Sequence, residues 1–122
     1  MRAALALALA LSSAPALADP AMTFAGETWT MPIEPADVFG FQVFPASGGR
    51  IALAITLKPA PARALSAHTA GTLGEVVTLT DGVGATLLQG PLDHPIERGL
   101  FAVTFGDPED ARRMVRRLQG QP

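Results

Sequence analysis

Ile51, Leu53, Ile55 and Leu57 alternate with Ala52, Ala54 and Thr56. No other stretch restricts the fold as much, because a period of two puts every large side chain on one face of an extended strand. Just upstream, Phe39, Phe41 and Val43 alternate with Gly40 and Gln42 in the same way. Ser47-Gly48-Gly49 stands between the two runs, and glycine supplies the positive backbone angles that a tight turn needs. The runs are expected to form a hairpin with large side chains on one side and small ones on the other. Small residues let a helix or a second layer approach closely. The sequence holds no cysteine, so packing of such faces, and not disulfides, must hold a small domain together.

Local signals place the remaining elements. Pro59 and Pro61 mark a helix start, where a missing N–H costs nothing, and Gly71 stops the helix after Ala70. Val76 to Thr80 reads as a strand, Asp81-Gly82 as a two-residue hairpin turn, and Val83 to Gln89 as the returning partner with Gly84 a bulge. Gly90 to Arg98 reads as a loop and Leu100 to Phe105 as a strand. Asp107 caps a last helix that opens with Pro108, Glu109 and Asp110 and closes at Gly120. Its Ala111, Met114, Val115 and Leu118 fall on one stripe. Residues 19–35 are expected to be an N-terminal extension or an edge strand, with Pro32 and Pro35 interrupting any longer ladder. The predicted fold is α+β: a single mixed or antiparallel sheet of about five strands with two helices on one face. Its central strand–helix–strand unit would cross over right-handed if those strands were parallel neighbours.

Residues 1–18 look like a secretory leader. Arg2 gives a positive start, Ala3 to Leu11 is unbroken apolar sequence, and Ala16-Leu17-Ala18 is the small-x-small pattern that precedes cleavage. The apolar stretch is shorter than the roughly 20 residues a spanning helix needs. Cleavage after Ala18 leaves 104 of the 122 residues, with eight basic and eleven acidic side chains, a net charge of −3. That charge argues against nucleic acid as a partner. No later run approaches spanning length, so the mature product is expected to lack a transmembrane segment. Eight arginines against one lysine, with no asparagine or tyrosine, suggest GC-rich codons, a bacterium and a periplasmic location.

The order of small motifs carries a resemblance. A strand at Ile51–Leu57 precedes a helix ending in Thr69, and Gly74 stands before the next strand. Asp81-Gly82 follows, then Pro95-Ile96, then Phe105 with Glu109, Asp110 and Ala111 opening the final helix. Upstream, Ala36-Asp37-Val38 leads into the first strand. Over residues 36–118 this resembles the head subdomain of the first periplasmic domain of SecD, a membrane partner of the bacterial protein-export channel. The domain similar to SecD would span 36–122. The chain departs from the pattern in lacking Ser-Ala-Pro after Asp-Gly and an asparagine before Gly74. The resemblance implies a fold and a capacity to touch unfolded or exported polypeptide. SecD's intramembrane charge has no counterpart here, so its proton-coupled work is not implied.

No residue pattern specifies a reaction. His68, His94, Asp93 and Glu97 are the nearest approach to a metal-ligand set, yet capping and surface roles explain them as well. Ser47 and Ser66 stand outside any Gly-x-Ser-x-Gly elbow, and Gly71-Thr72-Leu73-Gly74 follows a helix where a phosphate loop precedes one. Glu109 and Asp110 are accounted for by helix capping. No catalytic residue, metal or cofactor is therefore predicted. The strongest charge feature is Arg112, Arg113, Arg116 and Arg117 on the last helix, either a solvated face or a surface for an acidic partner or anionic lipid. Phe39, Phe41, Phe44 and Trp29 are expected to be mostly core, with any exposed remainder suited to an added peptide strand. The leading expectation is a non-enzymatic envelope protein that binds protein or peptide. The alternative is a ligand-binding domain or enzyme whose site gathers Asp81, Asp93, His94 and Arg98.

Overall fold

The structure, a computed structural model, describes residues 20–120. The expected leader, residues 1–18, lies outside the described residues. In chain order the elements are β1 (Met22–Ala25), β2 (Thr30–Ile33), β3 (Val38–Pro45), β4 (Ile51–Leu57), α1 (Pro59–Ala70), β5 (Val76–Asp81), β6 (Thr86–Pro91), β7 (Leu100–Phe105) and α2 (Pro108–Leu118). Short 3₁₀ turns at Pro35–Asp37 and Ser47–Gly49 join β2 to β3 and β3 to β4.

The α+β class holds, but the strands divide into two sheets where one was expected. A four-stranded sheet runs β2-β1-β5-β6 and a three-stranded sheet runs β3-β4-β7. Every pairing among the described residues is antiparallel. The helix α1 therefore carries the chain from one sheet to the other, and no parallel crossover forms between β4 and β5. Residues 22–33 are the cause. They make a hairpin whose inner strand β1 pairs with β5, so that β5 and β6 join it in a sheet separate from β3, β4 and β7. The proline-containing strand β2 lies on an edge, where its missing N–H breaks no ladder.

The hairpin of residues 38–57 forms with a defect at its start. Val38 pairs with Leu57 and Gly40 with Thr56, so Phe39 is bulged out of the ladder. Phe41 and Val43 then face the same side as Ile55 and Leu53, while Phe39 is thrown outward and left 76% exposed. The alternation that placed Phe39 with Phe41 fails at that bulge. A second register shift, between Leu79 and Thr80, falls on the partner strand at Leu87. The Asp81-Gly82 turn is also longer than two residues. Asp81 Oδ1 accepts from the N–H groups of Val83 and Ala85, and Gly84 holds a positive φ of 91° within the loop. The expected bulge at Gly84 is thus a turn position.

The two sheets and both helices share one core. Phe24 of β1 meets Phe101 of β7 edge to face, with ring centroids 5.0 Å apart. Leu65 of α1 and Met114 and Leu118 of α2 join Leu53, Ile55, Leu79 and Val103 in the same cluster. Glycine is required where α1 approaches β7. Gly99 has φ of 60°, and an added Cβ would lie 2.7 Å from Ala62 Cβ.

The loop between β6 and β7 is fastened by residues of the SecD-like pattern. Thr69 is wholly buried; its hydroxyl donates to Leu65 O at 2.8 Å and accepts from Ile96 N at 2.9 Å. Gly74 N donates to Leu92 O, and Leu92 N donates to Glu75 O. These places hold the fold together.

Candidate functional site

The four arginines of α2 do not behave alike. Ala111, Met114 and Leu118 turn the helix inward, which leaves Arg112, Arg113 and Arg116 exposed. Arg112 donates to Glu109 at 2.6 Å and Arg113 to Asp110 at 2.8 Å, both one turn back on the helix. Such exposed pairs contribute at most about 1 kcal/mol. Arg117 is taken into the fold: its Nη2 donates to Pro20 O at 3.1 Å. Its guanidinium lies so close over Gly82 that a side chain there would have to displace it. The side chain of Arg116 has no hydrogen-bond or ion-pair partner among the described residues.

Arg112 and Arg116 stand at the rim of an open groove of about 410 Å³. Its floor is Val43 of β3, Ile51 of β4, and Pro108, Ala111 and Val115 at and beyond the start of α2. The groove forms because the inner face of the three-stranded sheet continues past the helix that covers it. Val43 remains 51% exposed for that reason.

Beside the groove runs β3, which among the described residues pairs only with β4. Among the described residues, one side of its backbone is a free row of N–H and C=O groups. Edge strands are usually shortened or charged to prevent pairing with other chains. Here the strand is eight residues long, Val-Phe-Gly-Phe-Gln-Val-Phe-Pro, without a charge. Only the bulge at its start and Pro45 at its end interrupt it. Phe44, on the opposite side from Val43, is 44% exposed. The outward side of this sheet places Gln42, Phe44, Ala52, Ala54, Thr56, Leu100, Ala102 and Thr104 together, again without charge. The outward side of the four-stranded sheet is likewise uncharged there but more polar, with Thr23, Thr78, Thr80 and Gln89.

The other sequence candidates are dispersed. His68 lies flat against Trp29, ring centroids 4.8 Å apart and 5° from parallel. Trp29 Nε1 donates to Thr72 Oγ1, which donates in turn to His68 O. This stack ties the β1–β2 turn to the end of α1. Asp93, His94, Glu97 and Arg98 lie exposed on the loop before β7. No group of three or more His, Asp or Glu side chains with metal-site spacing occurs among the described residues. Asp81 lines a separate polar cavity of about 280 Å³ with Asp110 and Arg113. It does so away from Asp93, His94 and Arg98, and its charged side chains already have protein partners. The alternative site of Asp81, Asp93, His94 and Arg98 does not assemble there. Sequence reading missed the groove because it depends on α2 meeting the end of the β3–β4 hairpin, a contact between residues far apart in the chain.

No family model matches the chain, and no curated protein matches it in sequence. Two solved structures match it in fold. One, of SecDF as a membrane component that enhances protein export, superposes with a TM-score of 0.61 at 17% identity. The chain resembles a SecD domain. The second, of SecDF in a super-membrane-facing form, gives a TM-score of 0.60, also at 17% identity. Both matches cover 76% of this chain; they cover 40% of the first solved chain and 12% of the second. This chain thus corresponds to less than half of either SecDF structure. At this identity the likeness concerns fold, and the Thr69–Ile96 and Gly74–Leu92 fastenings show how this sequence maintains it. Among the described residues no helix is long and apolar enough to cross a membrane.

Proposed function

We propose that this SecD-like domain is a non-enzymatic polypeptide-binding protein of the bacterial periplasm, accessory to protein export. An extended segment of another chain adds to the free edge of β3. Its backbone completes the unpaired row of hydrogen-bonding groups, and alternate side chains settle into the groove floored by Val43, Ile51 and Val115. The uncharged eight-residue edge beside an open apolar groove carries this reading. The likeness to SecDF supports the link to export, and the leader-like residues 1–18 support the location.

Binding of a chemically unfolded, cysteine-blocked protein, followed by isothermal titration calorimetry, tests it. The wild-type domain is expected to bind, and Val43→Glu, which puts a negative charge on the apolar floor of the groove, to weaken binding at least about tenfold. Val43 is exposed, so the variant should fold. Equal binding by both proteins, or none by either, contradicts the proposal.

A further inference from the structure

We infer that the groove beside β3 selects extended apolar segments that carry a carboxylate, and discriminates against those that carry a lysine or arginine at the same place. This rests on the strand-addition reading and names its substrate class.

The floor of the groove is apolar, so it favours apolar side chains without ordering them. Discrimination must come from its rim. Two cationic groups stand there, and they are not equivalent. Arg112 is already neutralised by Glu109 at 2.6 Å. Arg116, four residues further along the same helix face, has no acidic partner among the described residues. A guanidinium beside an apolar surface is well placed to take a carboxylate through two parallel hydrogen bonds, which lysine cannot match. The acidic residues of the helix, Glu109 and Asp110, sit in its first turn and are paired with Arg112 and Arg113. The positive charge at the far end of the groove is thus uncompensated on its own helix.

Other occupants satisfy less of the site. A second copy could pair β3 with β3, but residues 38–45 hold no carboxylate, so Arg116 would stay unanswered. An anionic lipid headgroup would meet Arg116 and leave the backbone edge of β3 unused. An acidic apolar strand answers the edge, the floor and the arginine together.

Three fluorescent peptides alternating valine and threonine, with aspartate, asparagine or lysine replacing one valine, separate the possibilities by fluorescence anisotropy. The aspartate peptide is expected to bind about tenfold tighter than its asparagine isostere, and the lysine peptide weaker still. Arg116→Gln, at an exposed position, should erase the aspartate advantage, so that the aspartate and asparagine peptides bind the variant alike. Glu109→Gln, which releases Arg112, should widen the advantage. Equal binding of the aspartate and asparagine peptides, or an advantage that survives Arg116→Gln, overturns the inference and leaves strand addition standing. Failure of all three peptides to bind overturns both. A dimer in sedimentation that Val43→Glu splits would assign the edge to a second copy and overturn the inference as well.

Discussion

Thr69 shows how one hydroxyl can organise a loop. It lies at the end of α1 with no exposed surface, donates to Leu65 O and accepts from Ile96 N. Replacing it with valine keeps the volume and removes the acceptor, leaving the Ile96 N–H unpaired in a partly buried setting. Thr69→Val is expected to cost about 1–3 kcal/mol, and Thr69→Ser much less, as urea unfolding would show. Threonine at that position was visible in the sequence as part of the SecD-like order, but its bond was not. The partner lies 27 residues away, and no local pattern reveals such a distance. Phe39 teaches the opposite lesson. Its alternation with Phe41 implied a shared face, yet the adjacent Gly40 accompanies a bulge that reverses it. Glycine within a strand pattern is the signal that was available.

At the scale of elements, both helices were legible because their signals are local. Proline stands in the first turn of each, Asp107 Oδ1 accepts from Glu109 N at 2.9 Å, and of the stripe its spacing implies Ala111, Met114 and Leu118 are buried while Val115 is half-buried at the groove. The two faces of α2 make a direct comparison. Met114 is buried within the shared core, so Met114→Ala should destabilise by about 2–5 kcal/mol. Arg113→Ala, which removes an exposed ion pair, should change stability by less than about 1 kcal/mol. Denaturant midpoints of the two variants test this, and near-equal losses would mean that the helix is held by its charges. The hairpin of β3 and β4 was legible too, since alternation and a Ser-Gly-Gly turn act within twenty residues. The hairpin of β1 and β2 was not. Its strands are four residues each, one contains a proline, and their burial depends on β5, far along the chain.

Sheet number is a property of the whole molecule, and it escaped sequence reading for that reason. Local patterns specify strands; which strands pair depends on long-range contacts, and β1 pairing with β5 creates the second sheet. Among the described residues the same division leaves β3 with a single neighbour, and the strand has no charge along its length. If that edge receives extended polypeptide, its outward amides must be protected when a partner is bound. Hydrogen–deuterium exchange of the full mature domain, with and without a saturating unfolded polypeptide, measures this directly. The expected result is slowed exchange concentrated in residues 38–45, with smaller changes along the exposed side of α2. Unchanged exchange in that strand, with protection falling elsewhere, would contradict the account.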